Sequence, residues 1–150
     1  MITYKKVRLV LETQRIAESE VDYSTTPLST SNKVAAIAQQ LIGNDVQEVF
    51  IVFMLSTKNK IMAIHEVSRG GINAATVAPS EVFRAAILSG SISIIVSHNH
   101  PSGDLMPSAE DIALTSKIVS AGQLLRINVL DHVIVTQSAF YSFGDNGLIK

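Results

Sequence analysis

Hydrophobic residues recur along this chain at two spacings, and segments with one spacing alternate with segments that have the other. Within residues 34–42, Val, Ile, Ala and Leu side chains recur three or four positions apart, which is typical of one buried helix face. Residues 49–55 are instead an unbroken apolar run of strand length, as expected for an inner strand that is buried on both faces. This alternation predicts an α/β fold.

Turn and capping residues predict where the elements begin and end. Thr30 or Ser31 is placed to cap the first helix. Ser108 is placed to cap the third helix, with Gly122 as its stop. A polar turn at 57–60 joins two strands into a hairpin. The predicted strands are 3–13, 49–55, 61–67, 92–97, 127–136 and 140–142. The predicted helices are the first, whose buried face is 34–42, and those at 79–89 and 109–121.

Composition favours an ordinary folded domain and excludes several kinds of chemistry. With 150 residues, of which 47% are hydrophobic and 17% charged, the chain predicts one globular domain that spans residues 1–150. Cysteine is absent, which excludes disulfides, thiol catalysis and cysteine-based zinc ribbons. Any zinc site must therefore use histidine and carboxylate ligands.

Charge and hydropathy give expectations about partners and location. The formal net charge is −1, and the 12 Lys and Arg residues are scattered rather than gathered in a basic run, which disfavours strong binding to nucleic acid. The amino terminus has no signal-peptide pattern, and the apolar runs are far shorter than a membrane-spanning helix. We therefore expect a cytoplasmic protein that does not contact membranes.

Two histidines and an aspartate provide the candidate chemistry. His98 and His100 follow the predicted strand 92–97, and with one residue between them in an extended chain their side chains point to the same side. Asp111 lies in the first turn of the next predicted helix, from which a short loop could return it to the pair. Catalytic zinc takes three such ligands and leaves a fourth position to water. The spacing therefore predicts a catalytic zinc site.

Each of these residues also has a purely structural interpretation. Ser108 and Asp111 fit a capping box, in which the serine and the acid satisfy backbone groups at a helix start. Asp104 fits a turn, and an isolated His-x-His pair is a weak signal. The metal site is favoured by the conjunction of a buried strand, a histidine pair at its end and an acid at the next helix start.

The order and spacing of these residues resemble a known signature. His98-x-His100, seven further residues, Ser108, two more and Asp111 match the JAMM motif of the JAB/MPN metalloprotease superfamily. Within that superfamily the chain resembles the RadC family most closely. The matching segments run in order across residues 30–150. They are Ser68-Arg69-Gly70, Pro79-Ser80-Glu81-Val82-Phe83, His98-Asn99-His100-Pro101-Ser102-Gly103-Asp104, Pro107-Ser108-x-x-Asp111 and Leu130-Asp131-His132.

Residues 1–29 depart from that pattern. RadC proteins often carry a helix-hairpin-helix region before this domain, whereas residues 1–29 are interpreted as a divergent strand and a Ser/Thr-rich connection to the core at 30–150. The DNA contacts associated with the helix-hairpin-helix region are therefore not carried over to this chain.

The RadC resemblance implies a fold, a metal and a mechanism. The implied fold is α/β, with a mixed, mainly antiparallel sheet flanked by helices, as in JAB/MPN domains and the cytidine-deaminase-like architecture. His98, His100 and Asp111 would hold Zn2+, with water as the fourth ligand. A glutamate would act as general base, and Ser108 would support the oxyanion that develops on the substrate.

The resemblance also implies a class of reaction. A zinc-dependent hydrolase, acting as a metallopeptidase or isopeptidase on a peptide or isopeptide-linked protein, is the favoured interpretation. A DNA-repair-associated protein, either a DNA-binding module or a nuclease, is the alternative, and the scattered basic residues disfavour it. The complete ligand set argues against a noncatalytic scaffold. The pattern does not distinguish a monomer from an oligomer.

Two glutamates compete for the role of general base. Glu48 stands immediately before the predicted strand 49–55, where the family glutamate is expected, and we favour it. Glu66 lies near the end of the neighbouring predicted strand and is the alternative. Either could also be an ordinary carboxylate at a strand edge. His65, beside Glu66, is expected to be a partly exposed strand residue rather than a metal ligand.

Three further polar residues have open roles. Asp131 could accept a hydrogen bond from a metal-bound histidine, or it could form with His132 a buried polar pair that fixes strand register, which we favour. Arg69 could contact a carboxylate or phosphate of a substrate. The commoner case for such an arginine is a solvated loop residue, and the sequence leaves both interpretations open.

Overall fold

A computed structural model describes residues 1–6, 10, 12 and 25–150 of the chain. Its elements confirm the predicted alternation over the described core. In chain order they are α1 (Ser31–Ile42), β1 (Val49–Leu55), β2 (Ile61–Arg69), α2 (Pro79–Ser89), β3 (Ser93–Asn99), α3 (Ala109–Leu125), β4 (Asn128–Val135) and β5 (Phe140–Ser142). Residues 7–9, 11 and 13 of the predicted strand 3–13 lie outside the described residues, so that strand stays a prediction.

The strands of the described residues form one sheet of five, in the order β2-β1-β3-β4-β5. Only β3 and β4 are parallel, and the other neighbouring pairs are antiparallel. Parallel neighbours need a long crossover connection, which α3 provides between β3 and β4. The sheet is therefore mixed and mainly antiparallel, as predicted.

Side chains of β1 alternate between two cores, which explains why the whole strand is apolar. Val49, Ile51 and Phe53 pack on the face that α1 covers. Phe50 and Val52 pack on the opposite face, against α2 and α3. Every residue of β1 is buried. The strand is thus an inner strand between two helix layers, as its composition predicts.

The ends of the helices agree with prediction at two helices and differ at the third. Thr30, of the two candidates, caps α1, because its side chain accepts a hydrogen bond from the first turn. α2 ends at Gly90, whose φ of 71° is left-handed. α3 continues past Gly122 and has Arg126 as its left-handed cap, so the predicted stop is wrong. Within the described part of the chain, no helix has the length and apolar character needed to cross a membrane.

Gly122 lies inside α3 because the chain that follows the helix passes very close to it. A Cβ atom at this position would lie 2.5 Å from the carbonyl oxygen of Ile127 and 3.0 Å from a methyl carbon of Val129. The first contact is too short for a real side chain, and the second is tighter than most. The glycine therefore marks a close approach between α3 and the start of β4, and not the end of the helix.

The pairing of β1 with its neighbours decides which residues share an edge of the sheet. Phe50 lies opposite His98 in the antiparallel pair with β3. Val49 lies opposite Arg69 in the antiparallel pair with β2. The start of β1, the end of β2 and the end of β3 therefore meet at one edge. Glu48, which immediately precedes β1, is brought to the edge where the histidines leave β3.

Candidate metal centre

The three predicted metal ligands converge at this edge. His98 is the penultimate residue of β3, His100 follows the strand, and Asp111 is in the first turn of α3. One ligand atom from each residue lies within 4.8 Å of the others. The Nε2 atoms of the two histidines are 2.9 Å apart, and each is 3.4 Å from one carboxylate oxygen of Asp111. The group could hold a metal ion.

His100 is oriented by the loop that follows it. Its Nδ1 lies 2.6 Å from the carbonyl oxygen of Asp104, and its backbone N–H donates to the carbonyl of Val135 at 2.9 Å. A carbonyl oxygen only accepts, so Nδ1 must carry the ring proton. The lone pair of a neutral His100 is then on Nε2, which faces His98 and Asp111. Asp104 therefore acts through its backbone, because its turn places the carbonyl oxygen beside Nδ1 of the ring.

A capping box holds the carboxylate of Asp111. Ser108 Oγ accepts from the backbone N–H of Asp111 at 3.0 Å, and the backbone N–H of Ser108 donates to Asp111 Oδ2 at 2.8 Å. The structural interpretation of this pair is therefore confirmed. It does not compete with metal binding, because Asp111 Oδ2 is also the oxygen nearest to His100. The cap fixes the direction in which the carboxylate points.

The electrostatics of the group favour a cation. Burial raises the pKa of Asp111, but its hydrogen bonds to His100 and His98 outweigh burial and hold the pKa well below its usual range. Burial lowers the pKa of His98, whereas the hydrogen bond to Asp111 raises the pKa of His100. An ionised carboxylate and a neutral His98 thus face the same point, where a metal ion would compete with the proton of His100.

Glu48 shares a cavity with this group, and Glu66 does not line it. The cavity has a volume of about 240 Å³ and is lined by Glu48, His100, Ser108 and Asp111, together with Ile72, Ser102, Asp104, Met106 and Glu110. Glu48 is half-buried. Glu66 is exposed and accepts from Nε of Arg69 at 2.6 Å. The geometry thus favours Glu48 of the two candidates.

Arg69 is engaged by two acids on the outside of the sheet edge. Besides Glu66, its guanidinium contacts Asp45 at 2.7 Å, and the hydrogen bond to Asp45 raises the pKa of Arg69. An arginine that is already paired twice is a poor site for a substrate anion. His65 is exposed in β2 and lies outside the histidine–aspartate group, as expected.

Asn99, between the two histidines, was not singled out by sequence reasoning. Its amide is buried and bonds to the segment that precedes β1: Oδ1 accepts from the N–H of Val49 at 2.7 Å, and Nδ2 donates to the carbonyls of Gln47 at 2.9 Å and Asp45 at 3.2 Å. These bonds hold the backbone on both sides of Glu48. The signal in the sequence was an amide next to a buried strand, where a polar side chain needs partners.

Asp131 and His132 face in different directions. Asp131 accepts from Ser142 Oγ at 2.6 Å, from Gly144 N at 2.8 Å and from His132 N at 2.7 Å, while burial raises the pKa of its carboxyl. It therefore ties β4 to the end of β5, as the favoured structural interpretation predicts. The alternative, a bond from Asp131 to a metal-bound histidine, is wrong. His132 makes that contact instead, at 2.7 Å from His98 Nδ1.

The fold and the site together define an α/β domain with a group of side chains that could hold a metal ion. Residues 28–148 match the family model described as a RadC-like JAB domain. The chain belongs to the RadC-like JAB domain family, which confirms the resemblance found in its sequence.

Relatives named "UPF0758 protein" show the same relationship. The protein from Methanosarcina mazei is 39% identical over 145 residues, which cover 97% of this chain and 63% of the relative. The protein from Alkaliphilus metalliredigens is 46% identical over 103 residues, which cover 69% of this chain and 44% of the relative. The chain thus spans less than two thirds of the length of these relatives, and their names describe no activity.

Proposed function

We propose that this domain is a zinc-dependent hydrolase that cleaves an amide bond, as a metallopeptidase or isopeptidase. One observation carries the proposal: two imidazole nitrogens and a carboxylate converge, and His100 and Asp111 of this group line a cavity together with Glu48 and Ser108. A metal group, a candidate base and a candidate oxyanion donor are the parts that metal-assisted hydrolysis requires.

The donor set fits zinc. Two ligand atoms that are each about 2.0–2.1 Å from a tetrahedral ion lie roughly 3.3–3.4 Å from one another. His98 Nε2 is 3.4 Å from Oδ1 of Asp111, and His100 Nε2 is 3.4 Å from the other oxygen, Oδ2, so either oxygen lies at this separation from one histidine. The 2.9 Å between the histidine nitrogens is shorter, and a small rotation of either ring would open it. Two imidazole nitrogens and one carboxylate oxygen are also a ligand set found in catalytic zinc sites.

Each protein group has a part in the proposed reaction. Bound zinc supplies a Lewis acid and lowers the pKa of a water molecule to about 7. Glu48 accepts a proton from the attacking water and later donates it to the leaving amine nitrogen. The hydroxyl of Ser108 donates to the carbonyl oxygen of the substrate as negative charge builds there. That donation is compatible with the capping box, in which the Ser108 oxygen only accepts.

The proposed substrate is a peptide or an isopeptide-linked protein, and the test compares substrate classes. Purified protein is supplied with peptide, isopeptide-linked and DNA substrates, with and without a chelator. We expect cleavage of an amide substrate that is lost with chelator and restored by added zinc. Cleavage of DNA alone would contradict the proposed reaction, as would DNA binding that is insensitive to chelator and gives no turnover.

A further inference from the structure

A chain of buried hydrogen bonds runs behind the candidate metal centre. His98 Nδ1 lies 2.7 Å from His132 Nε2, His132 Nδ1 lies 2.6 Å from Thr115 Oγ1, and Thr115 Oγ1 lies 2.6 Å from the carbonyl oxygen of Asp111. None of these three side chains is more than 2% exposed. We call these four groups the histidine relay. Asp111 therefore meets His98 twice, once through its carboxylate and once through the relay.

The proton positions in the histidine relay follow from its last member. The Asp111 carbonyl can only accept, so the single hydroxyl proton of Thr115 must point to it. Thr115 Oγ1 then has only lone pairs left for His132, and the 2.6 Å contact requires a proton on His132 Nδ1. A hydroxyl that donated to His132 instead would leave two oxygens 2.6 Å apart with no proton between them.

The same logic passes through His132 to His98. The ring of His132 is fully buried, and a charged imidazolium without a carboxylate beside it is costly in such a place. The neutral ring carries one proton, on Nδ1, so its Nε2 must accept. His98 Nδ1 is therefore the donor of the 2.7 Å bond. The lone pair of His98 is then on Nε2, the atom that faces His100 and Asp111.

Aromatic packing holds the rings of the relay in place. His132 stacks on Phe143, with centroids 4.6 Å apart and planes inclined by 12°, and it meets the edge of Phe50 at 5.7 Å. His98 stacks on Phe50, with centroids 6.0 Å apart and planes inclined by 13°. A 180° flip of the His132 ring would break its two short hydrogen bonds. The tautomers are thus set by geometry that the fold already provides.

We propose that Thr115 and His132 are positioning residues, which select the tautomer of His98 whose Nε2 is free to bind the metal. This inference rests on the proposed metal site. In most metal sites the second nitrogen of a ligand histidine donates to a carboxylate, a carbonyl or water. Here the acceptor is a neutral imidazole, and its own orientation is set by the backbone of the helix that carries the third ligand. One helix turn therefore positions two of the three ligands.

The first test reads the tautomers directly and needs neither a variant nor activity. In metal-free protein with ¹⁵N-labelled histidine, at a pH where the rings are neutral, the ring nitrogen shifts and couplings report which nitrogen carries the proton. We expect a proton on Nδ1 in both His98 and His132. A proton on Nε2 of His98 would overturn the proposal. If native protein binds no zinc, the proposed function fails, while this measurement still decides the tautomers.

The second test removes the origin of the relay. Thr115→Val keeps the shape of the side chain but deletes the hydroxyl, so His132 loses the acceptor that fixes its proton. We expect the zinc dissociation constant to rise about 10–100-fold and the Nδ1–H form of His98 to lose its dominance. Thr115→Ser keeps the hydroxyl and should restore both properties.

A matched control separates the relay from a general loss of buried hydroxyls. Ser97, next to His98 and also buried, donates to the carbonyl of Val133 at 2.6 Å and is not a relay member. Ser97→Ala should leave the zinc affinity and the tautomers unchanged. Native zinc affinity in Thr115→Val, together with an unchanged His98 tautomer, would overturn the proposal. So would an equal loss of affinity in Ser97→Ala.

Discussion

Strands β1 and β3 lie side by side, have the same length and are buried along their whole length. They nevertheless carry different kinds of side chain. β1 carries apolar side chains only, and they alternate between the two cores. β3 is apolar at 94–96 and then ends in Ser97, His98 and Asn99. Each of these three polar side chains has hydrogen-bond partners. A fully buried strand end can thus carry polar side chains when each of them has hydrogen-bond partners.

The difference between β1 and β3 indicates where this fold can hold a reactive group. The polar end of β3 lies where the start of β1 and the start of α3 converge, so backbone groups of three elements are available as partners. The middle of β1 has no such partners, because its backbone is paired on both sides. A polar side chain there would be buried without compensation. The predictions below test whether the two strands really divide packing from chemistry.

The largest effect is expected at the end of β3. Native protein should carry about one zinc per chain, and His98→Ala or Asp111→Ala should abolish it, because two remaining ligands bind zinc poorly. Metal analysis after extensive dialysis measures this. His65→Ala, at an exposed histidine of β2, should keep the full zinc content. Retention of zinc in both ligand variants would contradict the proposed metal site.

The next effect separates the two glutamates. Glu48→Gln should keep zinc but lower hydrolysis by about 10²–10⁴-fold, the usual contribution of a general base. The matched variant Glu66→Gln breaks only a contact with Arg69 on the surface and should leave hydrolysis nearly unchanged. Rates on an amide substrate, compared at equal zinc content, decide the assignment. The opposite result would make Glu66 the base.

A third prediction concerns packing in β1. Phe53→Ala empties a fully buried position on the α1 side of the sheet and should lower the free energy of unfolding by about 3–5 kcal/mol. Because the histidines lie at the far end of β3, the folded variant should still bind one zinc. Denaturant unfolding with chelator present gives the stability. Met62→Ala, at an exposed side chain of β2, should change it by less than about 0.5 kcal/mol.

A fourth prediction concerns the amide that joins the two strands at this edge. Asn99→Ala deletes three hydrogen bonds to the segment around Glu48 and should cost about 1–3 kcal/mol, because the N–H of Val49 loses its buried partner. Hydrogen exchange at Val49 should become faster. Asn44→Ala, in the same loop but exposed, is the control. Unchanged exchange at Val49 would contradict the role assigned to Asn99.

Local signals predicted much of this fold, and long-range contacts account for what they missed. The apolar run gave β1 its bounds, and Pro79 and Gly90 marked the ends of α2. Gly122 was wrongly predicted to end α3. A glycine is needed there because Ile127 passes close to the helix, and that contact is visible only in three dimensions. The three candidate ligands followed from spacing within one β3–α3 connection. His132 did not, because it reaches His98 from 34 residues away across a parallel strand pair.

The last prediction is a dependence of stability on pH that arises from the histidines of β3 and β4. Burial lowers the pKa of both His98 and His132 below the ordinary value of 6.5. Below about pH 6.5 the unfolded chain therefore binds protons at these residues that the folded chain does not, and the free energy of unfolding falls as the pH falls. Each residue contributes a slope of at most about 1.4 kcal/mol per pH unit.

His100 acts in the opposite direction and in a different pH range. Its pKa is raised by the hydrogen bond to Asp111, so the stability it adds is present below pH 6.5 and is lost at higher pH. Well below pH 6.5 it is protonated in both states and no longer offsets the effect of the other two histidines. Unfolding in denaturant with chelator, from about pH 7 to pH 5, should show the decline, and His132→Gln should reduce its slope by about half. A flat profile in native protein would mean that the buried histidines of β3 and β4 take up protons as readily in the folded state as in the unfolded chain. The division between an apolar β1 and a neutral, fully bonded end of β3 would then not hold.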